Sequence, residues 1–276
     1  MTTSPLIEKD VPRLPAAGLH RVRVELLQFW RSGEAVFFTL GFPPIMLVLF
    51  GAIFGSNQIG PHGTSVTFSQ YFTAGMIGTG VWTSCFQVLA TAVPLERDNG
   101  SLKRLKATPM PVGAYFLGKI GQVTVVSAAE TVLLMAMGAL FYDLQLPAGW
   151  RWFTFAWVFV LGSAACTLTG IALAGLIRNG RIASSIVSPI AIVLQFVSGV
   201  YFVFADLPTG LQVAGSIFPL RWLTLGLRSV FLPDAYRFAE PGNSWRHLLT
   251  AAVLLAWCGV GLIVARRTFS WMPERS

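Results

Sequence analysis

Ionisable side chains inside apolar stretches are the first candidates for chemistry in this chain. Glu130 is the one ionisable residue deep within such a stretch, the run from Ile120 to Phe141. A carboxylate in hydrocarbon is costly, so it must face other protein groups or a wet cavity. Two roles fit it. It could bind a cation or gate a substrate path shared with Gln122 and Gln195, or it could be a structural hydrogen-bonding partner of Gln122, Gln87 or Gln195. A second candidate is Gly113-Ala-Tyr-Phe-Leu-Gly118-Lys119-Ile120, which fits the first seven positions of a phosphate loop. Ile120 stands where the magnesium-binding hydroxyl is needed, and the segment enters an apolar helix with no strand before it, so nucleotide binding here is rejected. Cys85, Cys166 and Cys258 all sit in apolar runs and read as small fillers of membrane helices. With His20, His62 and His247 scattered, neither a disulfide framework nor a metal site is expected.

These residues are set in an unusual background. Mean hydropathy is +0.64 and only 12% of the residues are charged, against roughly a quarter in soluble domains. Several stretches near the roughly 20 residues that cross about 30 Å of hydrocarbon carry no charge. The formal charge of +8 falls between these runs. It forms no basic tract or aromatic-interleaved stripe, which argues for a topology signal and against nucleic acid.

The expected fold is an all-α integral membrane protein of six transmembrane helices. Residues 1–18 read as a disordered cytoplasmic tail. No apolar core with a cleavage site precedes Ala35, so a cleavable signal is not expected. Residues 19–34 read as an interfacial amphipathic helix, with Leu19, Val22, Leu26, Phe29 and Trp30 on one face and Arg21, Glu25, Gln28 and Arg31 mostly opposite. The transmembrane domain covers 35–267, and 268–276 form a second cytoplasmic tail. Its spans are expected at Ala35–Gly55, kinked or delayed by Pro43-Pro44, then Ser69–Pro94, Ile120–Phe141, Trp152–Ile177, Ile182–Ala205 and Leu248–Ala265. The stretch Leu207–Leu232 is apolar but broken by Pro208, Gly210, Pro219 and Gly226, and carries Arg221 and Arg228. It reads as short re-entrant or interfacial helices. Trp150, Trp152, Trp222 and Trp245 are expected to anchor span ends at the interface. Gly51, Gly55, Gly75 and Gly78 could permit close helix packing.

With both termini in the cytoplasm, the inner segments hold fifteen Lys and Arg residues and the outer ones five, Arg151, Arg221, Arg228, Arg237 and Arg246. The formal sequon Asn99-Gly-Ser101 is then cytoplasmic and is discounted as a glycosylation site. The inner segment from Leu95 to Pro111 opens with acidic residues and turns at Asn99-Gly100. It continues as a short helix with Leu102 and Leu105 on one face and Lys103, Arg104 and Lys106 elsewhere, stopped at Pro109. A short helix held out to the cytoplasm suits the receipt of force from a motor subunit. An ordinary basic loop that fixes topology is the alternative.

The pattern Glu96-Arg97-Asp-Asn-Gly100-Ser-Leu102-x-x-Leu105-x-x-Thr108-Pro109, followed by Tyr115-Phe-Leu-Gly118-Lys119, resembles the signature of ABC-2 type permeases. These include actinobacterial drug-export permeases and lipid-linked polysaccharide exporters. A second match is Ser198-Gly199-Val200-Tyr-Phe202, Asp206-Leu-Pro208, Phe218-Pro219-Leu220 and Leu227-Arg228, which in that family ends the fifth helix and enters short extracellular helices. Val203-Phe204 departs from it, since family members often carry a proline there, and leaves the shape of the turn open. The resemblance extends over nearly the whole chain after Leu19.

The resemblance implies a bacterial plasma-membrane exporter of drugs, antibiotics or lipid-linked compounds, built as a homodimer or heterodimer of permeases on two cytoplasmic ABC ATPase subunits. It implies that the N-terminal helix and the coupling segment Glu96–Thr108 contact those ATPases. ATP and magnesium then belong to the ATPases, and this chain binds no cofactor. Two other classes stay open on the residues alone. A proton-coupled carrier would use Glu130 as a relay, although such carriers usually show more spans and repeat symmetry. A membrane-embedded lipid-modifying enzyme would need clustered catalytic side chains, whereas Asp206, Asp234 and Glu240 stand apart.

Overall fold

The computed structural model describes residues 14–59, 66–107 and 111–268. Thr108 and Pro109 of the coupling segment, and both proposed terminal tails apart from 14–18 and Thr268, lie outside the described residues. The described chain is nearly all helix. In order it forms α1 (Leu14–Arg31), α2 (Gly33–Phe54), α3 (Phe68–Asp98), α4 (Ser101–Lys106), α5 (Val112–Phe141), α6 (Arg151–Leu176), α7 (Gly180–Val197), α8 (Thr209–Ile217), α9 (Pro219–Phe231) and α10 (His247–Thr268). Two short strands, β1 (Gln58–Ile59) and β2 (Val66–Thr67), pair antiparallel between α2 and α3. Six helices, α2, α3, α5, α6, α7 and α10, are long and apolar enough to cross a membrane.

The proline pair in α2 does not stop the helix. Phe37–Gly41 winds as a π-helix, and Pro43 and Pro44 then enter the first turn of the α-helical remainder. The wider π-turn just before the prolines breaks the regular α-helical hydrogen-bond pattern where a proline would otherwise disrupt it. The fifth span ends earlier than expected, at Val197 rather than Ala205. Gly199 takes φ +74°, the Gly199 amide donates to the Phe196 carbonyl and the Val200 amide to the Gln195 carbonyl. This is a Schellman-type stop, and the apolar residues after it form a turn. Hydropathy cannot register such a stop.

α3 is the centre of the bundle. Tyr71 through Trp82 are all buried, and α3 packs against α5, α6 and α9. Gly170 of α6 meets the α3 backbone so closely that an added Cβ would lie 2.7 Å from the Phe86 carbonyl oxygen. Gly51, Gly75 and Gly78 likewise face Tyr142, Val200 and Thr224 of the same chain, so these small residues serve internal packing.

The Leu207–Leu232 stretch forms two helices of 9 and 13 residues. At 1.5 Å per residue these reach about 14 and 20 Å, short of a bilayer. Every residue of α9 is buried, between α3, α6 and α10. Two of the expected interface tryptophans are therefore corrected. Trp222 and Trp245 are buried, and their indole N–H groups donate to the Ser216 carbonyl at 2.7 Å and to Asp234 Oδ1 at 3.4 Å. Trp150 and Trp152 remain exposed.

Because the Gly170 contact is with backbone, Gly170→Val has no flexible neighbour to displace. It should lower stability by about 1–3 kcal/mol, read as a lower melting midpoint of the detergent-solubilised chain.

Candidate functional site

α1 follows the first half of α5, with Leu14 beside Gly113, Leu117 beside Gly18 and Val22 beside Gly121. The face that α1 turns toward α5 includes its one acid. Gly18, Glu25 and Phe29 are buried, whereas Leu19 and Trp30 are exposed. The reason is Lys119 on α5. Its ammonium is buried and lies 2.8 Å from Glu25 Oε2, and it also pairs with Glu96 Oε1 at the end of α3. Arg21 completes the set at 2.5 Å from Glu25 Oε1, and the Tyr115 hydroxyl donates to Glu96 Oε2 at 2.9 Å. Two cations and two carboxylates therefore balance where α1, α3 and α5 meet.

The next two residues extend the junction. Arg97 donates through Nη2 to the carbonyls of Ile177 and Arg178 just beyond α6, where a cation also suits the negative end of the helix. Asp98 Oδ2 accepts from the Gly180 amide at 2.5 Å, at the entrance to α7. Three successive residues thus tie the end of α3 to α1, α5, α6 and α7. Asn99 and Gly100 (φ +71°) turn the chain, and α4 follows immediately. Leu102 is fully buried, Leu105 half-buried, and Lys103 and Arg104 are exposed.

Of the expected coupling residues, Glu96 and Arg97 are committed inside the chain, Gly100 makes the turn and Leu102 anchors α4. Lys103 and Arg104 face outward. Sequence reasoning missed Glu25, Asp98, Tyr115 and Lys119 as parts of this junction. The available signal was a lone acid in the middle of an amphipathic helix and a lone lysine in an otherwise uncharged helix start.

Glu130 is fully buried between α3 and α5. Ser84, in the π-helical turn Thr83–Gln87 of α3, donates to its Oε2 at 3.1 Å. Gly80 makes room for it, since a Cβ there would lie 2.6 Å from the carboxyl carbon. Its partner is therefore Ser84 and none of the three glutamines considered. Gln122 lies two turns away and lines, with Ser84, Phe29 and Thr39, a void of about 10 Å³. Gln195 is not brought to this group. It accepts from the Tyr201 hydroxyl at 2.7 Å, and Gln87 donates to Ser188 at 3.3 Å.

The second motif assembles at the opposite end of the bundle. The Gly199 carbonyl accepts from Arg228 Nη2 and, at 3.4 Å, from the Tyr71 hydroxyl. Arg228 is fully buried, with its guanidinium carbon 3.8 Å from the Tyr71 ring centre. Pro219 opens α9, Pro208 precedes α8, and Asp206 is exposed at the end of a 3₁₀ turn. Glu240, which the sequence left isolated, lies 2.5 Å from Arg221 Nη2. Burial pushes the Arg221 guanidinium below its usual range, and the Glu240 carboxylate opposes that.

Replacing Lys119 would leave the two carboxylates of Glu25 and Glu96 with Arg21 as the one remaining cation of the set, and breaking a buried pair in this way costs about 3–5 kcal/mol. Lys119→Met should therefore give little folded protein on size exclusion. Adding Glu25→Gln, which removes the stranded charge, should restore a measurable share of it.

The geometry can be set beside known proteins. A family model described as ABC-2 type transporter matches residues 21–232. The protein named transport permease ycf38 of Porphyra purpurea is 21% identical over 243 residues, 86% of this chain and 82% of the relative. Its namesake in Pyropia yezoensis is 22% identical over 251 residues, 87% of this chain and 83% of the relative. The matched residues run from α1 through α9 and so include both the α4 junction and the buried α9 helix. With its six membrane-crossing helices, the chain belongs to the ABC-2 type transporter family and is a multi-pass transporter permease subunit.

Proposed function

We propose that this chain is the membrane half of an exporter that moves a hydrophobic or amphipathic compound, such as a drug, an antibiotic or a lipid-linked molecule. ATP is hydrolysed, with magnesium, on a separate cytoplasmic ABC ATPase. Two permease copies, identical or paralogous, form the path between them in a bacterial plasma membrane, with α4 and both termini on the cytoplasmic side. The observation that carries this reading is the rooting of α4. A six-residue helix transmits force only if its base is stiff. Here Glu96, Arg97 and Asp98 fasten that base to α5, α6 and α7, and through Lys119 to α1. Displacement of α4 by an ATPase would move α3, α5, α6 and α7 together, and Lys103 and Arg104 present the charged contact surface.

A proton-coupled carrier is the second reading, favoured by the burial of Glu130 beside a single hydroxyl donor. The two differ in their need for a motor: the exporter works only with its ATPase, and a carrier works without one.

Purification of the tagged chain with its co-expressed candidate ATPase should recover both in stoichiometric amounts. Lys103→Glu with Arg104→Glu should reduce the recovered ATPase by about tenfold, since charge reversal at a rim acts on association, while the melting midpoint is unchanged. A folded chain that transports with no ATPase would overturn the proposal. Within it, Glu130→Gln should leave the melting midpoint within about 2 °C but reduce export. Unchanged export at equal expression would remove Glu130 from the path.

A further inference from the structure

Arg221, Arg228 and Glu240 form a buried charge cluster whose balance is incomplete. Glu240 takes one edge of Arg221, and its other oxygen lies 3.8 Å from Arg228 Nη1. Arg221 Nη1, Arg228 Nε and Arg228 Nη1 are buried donors without a hydrogen-bond partner among the described residues. The guanidinium faces are occupied, by the Phe204 ring at 3.6 Å from Arg221 and the Tyr71 ring at 3.8 Å from Arg228. Such stacking stabilises the cations but leaves their N–H edges open. A carboxylate alone against two buried guanidiniums leaves one positive charge without a partner, a state that buried ions rarely keep.

A cavity of about 30 Å³ opens beside this cluster, lined by Arg221, Glu240, Ser216, Trp222, Phe204 and Arg246. Its wall is fixed, because Trp222 donates to the Ser216 carbonyl. Arg246 is exposed and adds a second guanidinium, beside that of Arg221, at its rim. Asp206 also lies nearby in sequence and is exposed, but it makes no ion pair with these arginines within 4.0 Å among the described residues. A volume of this size holds one or two oxygen atoms, enough for part of an oxyanion whose remainder stays outside. Guanidinium edges at a pocket mouth match the paired oxygens of phosphate.

We propose that the Arg221–Arg246 pocket at the α8–α9 end of the bundle binds one phosphate group, supplied by an anionic lipid headgroup or by free phosphate. The site is independent of the transport reading. Its ligand would give the open edge of Arg221 a partner and pin the segment between α9 and α10 against α9.

The test is the melting midpoint of the full chain purified in neutral detergent and chloride buffer. Three probes are compared: mixed micelles of phosphatidylglycerol, mixed micelles of phosphatidylcholine, and inorganic phosphate at matched ionic strength. Phosphatidylglycerol should raise the midpoint by about 5 °C at saturation, and phosphatidylcholine should not. Arg246→Gln, at an exposed position, should keep the unliganded midpoint and lose most of the rise, and Arg221→Lys should weaken the response as well. A rise with inorganic phosphate that Arg246→Gln also removes assigns the site to the free ion. No rise with either phosphate-bearing probe, or an equal rise in Arg246→Gln, overturns the proposal.

Discussion

An ammonium group can be kept in a membrane protein's interior only beside counter-charges that cannot move away, and the α4 end of this structure is arranged around one such group. Lys119 leaves the start of α5 where water is excluded and lies between Glu25 and Glu96. Meeting that requirement sets the rotation of α1, which must turn its single acid inward even though four of its large apolar residues, Leu14, Leu19, Leu27 and Trp30, are then exposed. It also sets the rotation of the last turn of α3. Successive residues on a helix point about 100° apart, so once Glu96 faces α5, Arg97 and Asp98 are carried round to α6 and α7. The rigid base of α4 follows from one buried charge and the helical repeat.

The opposite end is also held by buried charge, with less complete balance. α9 is too short to cross a bilayer and too polar to face lipid, yet all of it is buried. Its arginines are tolerated because Arg228 reaches the Gly199 carbonyl freed by the stop of α7, while aromatic rings cover the guanidinium faces. Between the two ends the packing is mainly apolar, with glycines allowing close approach of backbones, as at Gly170. Glu130 interrupts that middle layer, and the π-turn of α3 supplies the hydroxyl that meets it.

The number and order of the spans were legible in the sequence, because the loss of charge over some 20 residues is a requirement of the bilayer and needs no tertiary information. The broken character of Leu207–Leu232 was legible for the same kind of local reason, its prolines and glycines. The end of α7 was not. Residues 198–205 are as apolar as a span, and the stop comes from the left-handed conformation of Gly199. The inward face of α1 was not legible either, since helical periodicity reports which residues are apolar and cannot report that a lysine some ninety residues later needs Glu25. Trp222 and Trp245 misled because indole at a span end satisfies equally a lipid headgroup and a buried carbonyl or carboxylate.

By itself the sequence determined the class of protein, the six spans, the family pattern from Glu96 to Lys119 and the position of α4 in the chain. Each of these depends on local composition or on spacing within one segment. Only the tertiary structure decided which charges meet: Lys119 with Glu25 and Glu96, Arg97 with the end of α6, Asp98 with the start of α7, Arg221 with Glu240, and Ser84 with Glu130. All but one of these pairings join different segments of the chain, and even the nineteen residues from Arg221 to Glu240 are bridged only by folding back. The energy of a buried ion depends on the distance to its partner in space, and one-dimensional order does not contain that distance.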